Sequence, residues 1–446
     1  MRNKSIFTTS DGKNHAFTFF LIASLFLLWG FCNGMIDVMD KHFQQELHLS
    51  LAQSAWVQFA HYLGYFLMAL PAGTLATRLG YKGGIIAGLL LVAIGGFWFI
   101  PATHIASFWA FLLGVCVIAS GLTFLETIAN PYTTVLGDPN YGATRINLAQ
   151  SFNGIGWIFG PIAGGMFFYS KDSSGHSIGS QTLWLPYTGV AIVVIILAIV
   201  FFFVDIPDIK HKDEYQSTES DDNSSISVWK NKHFAYGVFA QFFYVAAQAG
   251  IFSFFINYMT SQVPAVPKTL QFSFLNSWFD VSKSGIYSIS DQGAANLASF
   301  GFIFFLVGRF SGAAILRKID AHKVLGYYSL LNIAMSVLVV MKLGWISFCA
   351  VFLSYFFMSI MFPTIFALAI YGLGSRAKKA SSYIVMAIMG GAILPKLMGY
   401  IADKTDISRG FIVPAACFVF TAYYAFNWPK FSNVKSTKVN LTQSSH

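Results

Sequence analysis

The sequence predicts an all-α membrane protein of twelve transmembrane helices in two pseudo-symmetric six-helix bundles. Three observations carry this. First, the 446-residue chain is 55% hydrophobic and only 11% charged, whereas a soluble chain carries about 25% charge. Second, its apolar runs repeatedly reach the roughly 20 residues that span a bilayer core. Third, a single long polar stretch divides them, and a glycine–proline spacing recurs on either side of it.

The apolar segments lie near 17–38, 54–76, 83–100, 106–136, 146–169, 185–204, 234–258, 292–314, 324–341, 345–372, 380–402 and 410–428. The first is too long for a signal-peptide core and lacks a small-residue cleavage site, so it reads as a retained helix. An even number of spans puts both ends of the chain on one side. One set of connections is rich in Lys and Arg, with Arg78, Lys82, Arg145, Lys230, Arg309, Arg317 and Arg376 among them. The other holds only Lys41, Lys171, Lys268, Lys283, Lys342, Lys404 and Arg409. The positive-inside rule therefore places both termini in the cytoplasm.

The stretch 206–232 is rich in Ser, Asp, Glu and Lys and reads as a cytoplasmic linker. It separates an N-terminal bundle, 1–205, from a C-terminal bundle, 233–428, with a cytoplasmic tail at 429–446. The loop 259–291, external on this topology, is long and rather apolar, and its structure is left open. The halves repeat: Arg145 and Lys379 each precede a glycine by eleven residues, and Gly156-x4-Pro161-x3-Gly165 matches Gly390-x4-Pro395-x3-Gly399. Parallel halves with a substrate site between them are a transporter architecture.

The net charge of +9 fits membrane orientation rather than nucleic-acid binding, since no basic cluster is interleaved with aromatics. Cys32, Cys116, Cys349 and Cys417 all fall in apolar runs and form neither a disulfide framework nor a metal motif. No P-loop, catalytic triad or metal signature is present, so neither a cofactor nor ATP drive is expected. Lipid is the expected surroundings, and a monomer the expected state.

Glu126 is the residue that most needs an explanation. It follows an uncharged run of spanning length, where an ionised carboxylate costs roughly 2.5–3.5 kcal/mol on insertion scales. Such an acid is kept when it faces a partner, a water-filled cavity or a substrate. Pro131 then frees a carbonyl that lipid cannot satisfy, so this helix face must be buried in protein or line a cavity. A structural acid is the plain alternative. Asp37 lies near the external end of the first span, followed by Asp40 and Lys41, where an interfacial, solvated role competes with a functional one.

Gln150 and Asn153 share one helix face, as do Gln241, Tyr244 and Gln248. Amides offer both hydrogen-bond donors and acceptors to a polar ligand. As interhelical glue each would contribute about 0.6 kcal/mol. Lys396, inside the eleventh span, snorkels to an interface, pairs with Asp37 or Glu126, or contacts a substrate oxygen. His61 reads as a satisfied core residue.

The strings Leu125-Glu-Thr-Ile-Ala-Asn-Pro-Tyr132 and Asn147-Leu-Ala-Gln-Ser-Phe-Asn153, with Asn33, Asp37 and Gln58–Tyr65, resemble one branch of the major facilitator superfamily. That branch is the fucose permeases, the fucose–galactose–glucose:cation symporters. Ala240-Gln-Phe-Phe-Tyr244 with Gln248, Gly308-Arg-Phe310, Phe362-Pro-Thr-Ile-Phe366 and Ile388–Gly399 extend the likeness over about 17–425. Thr77 stands where the superfamily's loop motif has Asp. Gly34 stands where fucose carriers have a second Asn, and Lys396 is a cation they lack in that helix.

The resemblance implies the major facilitator fold and a bacterial inner-membrane symporter. Its cargo would be a hexose-like monosaccharide of the fucose, glucose or galactose class, carried with protons. Asp37 and Glu126 would couple the proton. Asn33, Asp37, Glu126, Gln150, Asn153, Gln241, Tyr244 and Gln248 would hold the sugar. A sodium-coupled carrier of the same fold, and a membrane sugar receptor or enzyme, are the alternative readings.

Overall fold

The computed structural model describes residues 7–8, 13–137, 142–170, 179–204, 206, 228–265, 278–281, 287–316, 319–371, 373 and 377–432. The chain crosses the bundle with α1 (Ala16–Glu46), α3 (Trp56–Ile105), α4 (Phe108–Val135), α5 (Gly142–Phe168) and α7 (Trp184–Phe203), with short α2 (Leu51–Ser54) and α6 (Gly179–Thr182) between them. The second half follows with α8 (Lys232–Ser253), α9 (Phe255–Ser261), α10 (Asp291–Leu316), α11 (Ala321–Val340) and α12 (Trp345–Met358). It ends with α13 (Met361–Ile370), α14 (Ala377–Met386), α15 (Gly390–Lys404), α16 (Ile407–Gly410) and α17 (Ile412–Phe431).

Ten helical stretches among the described residues are long and apolar enough to cross a membrane on composition. The first limb of α3 and α5 complete the twelve. Both are more polar, the first limb carrying Gln58 and His61 and α5 carrying Gln150 and Asn153. The sequence places a loop between spans two and three, but the backbone stays helical there. It turns at one residue, Gly80 (φ 69°, ψ −179°), in the left-handed region open to glycine. Similarly, α8 and α9 are one span bent at Phe254, and α12 and α13 one span bent at Ser359–Ile360.

Within the first half α5 packs on α1, α4 on α3, and α7 on α3; within the second, α15 packs on α8, α12 on α10, and α17 on α11. The two sets of neighbours correspond span for span, which is the pseudo-symmetry of the halves. The halves meet where α5 packs on α10 and where α15 packs on α2 and α3.

The repeated glycine–proline spacing now has a physical reason. A Cβ on Gly156 would run into the Leu27 carbonyl of α1, and one on Gly390 into the Phe242 carbonyl of α8. The first glycine of each motif thus lets its helix touch backbone of its own half. A Cβ on Gly165 would lie 2.9 Å from Ala295 of α10, and one on Gly399 2.8 Å from the Ala52 nitrogen of α2. The last glycine lets the same helix touch the other half.

The two halves are bonded at one end, here called the Glu46 end because α1 finishes there. The Leu51 and Ala52 amides donate to Asp403 at 2.7 and 2.9 Å. Gln45 donates to Asp291 at 2.6 Å, and Lys41 stands 4.0 Å from the same carboxylate. The side-chain amides of Gln44 and Asn257 bond reciprocally. Every cross-half hydrogen bond and ion pair recorded among the described residues lies at this end.

Within 259–291, β1 (Phe279–Val281) and β2 (Tyr287–Ile289) pair antiparallel, with Asp280 opposite Ser288. The Ser290 amide donates to the Trp278 carbonyl at 2.9 Å, which seats this ribbon on the start of α10. Of the linker 206–232, all but residue 206 and 228–232 lies outside the described residues, as does 433–446 of the tail. Arg309, placed in a connection by its charge, is instead inside α10, its guanidinium 5.1 Å from the Phe305 ring centroid. Arg145 is likewise inside α5, fully buried, donating to the Thr133 carbonyl at 3.0 Å.

If backbone contact sets the helix crossings, filling it must be destabilising. Gly156→Leu should lower the unfolding temperature of the detergent-purified protein, at an overpacking cost of about 1–3 kcal/mol. Gly189→Ala, on α7 with open space around its Cβ position, should leave it unchanged. Equal melting of the two variants would remove the packing argument.

Candidate functional site

The site grows from the stripe that α1 turns inward. Asn33, Asp37 and Asp40 follow at spacings of four and three, so they share one face. All three are buried. The close α1–α5 crossing at Gly156 holds that face toward the bundle axis.

The first limb of α3 meets the stripe with Gln58, His61, Tyr62 and Tyr65. The Gln58 amide donates to Asp37 Oδ1 at 3.1 Å, while Asp37 Oδ2 has no partner. Trp29 donates through its indole to the Tyr65 hydroxyl at 2.6 Å. Tyr65 stands within electrostatic reach of Glu126 and beside Asn33. Tyr62 is within reach of Asp37, Glu126 and Tyr244. These two phenols therefore connect the acid of α1, the acid of α4 and the second half. His61 packs its ring 5.0 Å from each of them, but its Nδ1 is buried without a partner, so it is not the satisfied core residue the sequence suggests.

Glu126 comes from the middle of α4 and faces α1. It lines a narrow crevice with Leu25, Phe26, Trp29, Leu125 and Ala129. Its walls are apolar, so taking up or losing a proton there changes the charge of a narrow, apolar space.

The second half contributes α8. Gln241 is fully buried, and neither atom of its amide has a partner. A buried amide left unbonded costs about 1–3 kcal/mol, which a hydroxyl-bearing ligand would recover. Tyr244 donates to the Met358 carbonyl at 2.8 Å and lies within reach of Arg309. Gln248, one turn further along the same face, is half-buried.

Other residues singled out in the sequence are arranged differently. Asn153 donates to the Phe26 carbonyl at 3.3 Å, so at least its amide nitrogen ties α5 to α1. Gln150, one turn away, is half-buried and bonded. Lys396 holds its ammonium 3.7 Å from the Trp56 ring centroid. No ion pair joins it to Asp37 or Glu126 among the described residues. Trp56 in turn packs on Phe59 and Trp109 near the Glu46 end.

Asp40 and Arg309 are buried or partly buried charges that the sequence placed at an interface and in a connection. For Asp40 the heptad-like 33–37–40 spacing was the available signal. For Arg309 it was the apolar residues on both sides.

This arrangement has counterparts. Residues 17–394 match the family model described as Major Facilitator Superfamily. The chain is 33% identical over 417 residues to a glucose/galactose transporter of Brucella abortus, covering 93% of this chain and 95% of that one. It is 32% identical over 434 residues to the L-fucose-proton symporter of Escherichia coli, covering 93% and 94%. Among solved structures, the transporter FucP in the outward conformation aligns with a TM-score of 0.65 at 33% identity, over 93% of this chain and 99% of that one. A D-xylose-proton symporter shares the fold at 11% identity, with a TM-score of 0.70 over 94% of this chain and 99% of its own. Twelve spans in two matched halves, an acid-bearing α1 and α4, and this family match over most of the sequence lead to one conclusion: the chain belongs to the Major Facilitator Superfamily.

Proposed function

We propose that this protein is a secondary active symporter that imports a hexose-like monosaccharide together with protons by alternating access. The observation that carries the reading is the cluster of Asp37, Glu126, Tyr62 and Tyr65, with Tyr62 within reach of Tyr244 from the other half; the unsatisfied amide of Gln241 lies one turn from Tyr244 on the same helix. The acids are the groups able to take up and release a proton. The amides and phenols suit sugar hydroxyls, and Trp29 offers a face to the C–H side of the ring. The relatives named for fucose–proton symport and for glucose and galactose support the same class.

In this reading the bundles 1–205 and 233–428 rock about the site, joined by 206–232, and a single chain holds the whole pathway. The chain is a carrier, with no catalytic role assigned to any residue. The Glu46 end is external, both termini are cytoplasmic, and the membrane is the bacterial inner membrane. The bonds across the Glu46 end close the external gate, in contrast to the outward conformation of the FucP structure. An outward-facing carrier takes a proton and a sugar; neutralising the acid lowers the cost of closing the cavity, and water from the other side draws the proton off.

Glu126→Gln mimics the protonated acid permanently. In proteoliposomes, Glu126→Gln should keep sugar counterflow and lose accumulation driven by an imposed proton gradient. Full gradient-driven accumulation by that variant would refute the coupling role. Competition by fucose, galactose and glucose in the wild-type assay identifies the cargo.

The gate is tested separately. The Asp403 carboxylate accepts from the first amides of α2, and losing such a cap costs about 1 kcal/mol, or roughly a fivefold shift in population. Asp403→Ala should speed hydrogen exchange in peptides covering 44–56 and 395–404. Unchanged exchange there would remove Asp403 from the gate.

A further inference from the structure

α1 carries a third acid that the scheme above does not use. Asp40 is 0% exposed and sits one turn beyond Asp37 on the same face. Neither of its oxygens has a hydrogen-bond donor, and Asp37 Oδ2 also lacks one. Ser253, from α8 of the other half, is fully buried beside Asp40, and its hydroxyl is likewise unbonded. Gln58 of α3 stands beside both acids and donates to Asp37.

The groups packed around this pair do not neutralise it. Lys41, next in sequence, turns to Asp291. His42 bonds the Phe168 carbonyl through Nδ1 at 2.9 Å. Tyr169, just past the end of α5, is within reach of Asp40 but donates to the Val38 carbonyl at 2.7 Å. Tyr62 of α3 and Tyr355 of α12 lie within reach of Asp37, and the Tyr355 hydroxyl is buried without a partner. Among the described residues no cation faces the two carboxylates.

Two carboxylates one turn apart in a water-poor interior cannot both stay charged without a positive partner. Removing each ion from water costs several kcal/mol, and their mutual repulsion adds to that. The unsatisfied atoms are all oxygens: Asp37 Oδ2, both oxygens of Asp40, the Ser253 hydroxyl and the Tyr355 hydroxyl. Apart from the Gln58 amide that donates to Asp37, these oxygens suit a small, hard cation.

Resting on the symporter reading, we propose that Asp37, Asp40 and Ser253 form a site for one small monovalent cation, a proton or a sodium ion, separate from Glu126. Because Asp40 and Ser253 belong to different halves, the site is complete when the Glu46 end is closed. Cation binding and closure are therefore the same event at this end. With a proton on Glu126, each sugar would enter with two positive charges.

The decisive measurement is the charge-to-sugar ratio of the full-length protein in proteoliposomes, from the membrane potential at which sugar flux reverses. Two charges per sugar are expected for the wild type and one for Asp40→Asn. A ratio of two in sodium-free buffer identifies the second charge as a proton; a ratio of two only with sodium identifies it as sodium. A wild-type ratio of one, or a ratio unaltered by Asp40→Asn, overturns the site.

A second measurement does not depend on transport. A cation that binds only the folded protein raises its unfolding temperature. The wild type in detergent should be stabilised by acidification or by exchanging choline for sodium chloride. Asp40→Asn and Ser253→Ala should lose the sodium response and weaken the acid response, of which Glu126 retains its own share. An equal response in all three refutes the cation site even if no sugar is carried, whereas absent transport with a lost or weakened response refutes only the symporter reading.

Discussion

Close contact between helix backbones is the constraint on which the rest of this structure depends. In lipid, two helices gain nothing by hiding apolar surface from each other, so association rests on how near their backbones can come. Gly156 and Gly390 provide that nearness inside each half, and Gly165 and Gly399 provide it between halves. Each motif lies on one helix, so α5 and α15 are each fastened to their own bundle at one point and rest on the opposite bundle at another. Pro161 lies between the two points and packs on Gly34 of α1, where a Cβ would come within 2.9 Å of its ring. At the α1–α5 spacing of this chain, a Cβ at 34 would also crowd the Gly160 backbone at 3.2 Å.

That placement gives the two halves unequal chemistry. Among the described residues, the buried Asp37 and Asp40 and the half-buried Glu126 all belong to the first half. The second half brings neutral hydrogen-bonding groups, Gln241, Tyr244 and Ser253, and the partly buried cation Arg309. An ion site built mostly from one half and completed by a single hydroxyl from the other responds to their separation. A sugar site that needs amides from both halves does the same. Coupling needs no long-range wire if both ligands read the same gap.

Much of the architecture was legible in the sequence because the bilayer imposes length and apolarity on every span, and because the Gly–Pro spacing is written twice. The resemblance carried by Leu125–Tyr132 and Asn147–Asn153 supplied the family. What was not legible depended on where apolarity ends without helix ending. The first apolar run stops near Val38, but α1 continues to Glu46. Asp40 therefore lies two turns inside a helix covered by α3, α5 and α8, instead of at a solvated end. Arg309 lies inside α10 for the same reason. At Gly80 the error ran the other way: a charged, glycine-containing stretch looks like a loop, yet one residue with positive φ accomplishes the turn.

Lys396 shows what kind of interaction a reversible gate can use. Removing one partner of a buried ion pair leaves an uncompensated charge worth about 3–5 kcal/mol. A lysine paired with Asp37 would resist every opening by that much and would occupy the acid that the transport scheme needs. Over the face of Trp56 the ammonium gains about 0.5–2 kcal/mol, depending on how dry the contact is. Its alkyl stem covers apolar surface while its head stays near the Glu46 end. When α15 moves off α3 the ammonium exchanges an aromatic face for water, and the difference between the two states is small. The same holds for the Asp403 cap and the Gln44–Asn257 amides, each of which water can replace. A closed end assembled from several weak, hydratable contacts can be tipped by one bound cation and one bound sugar.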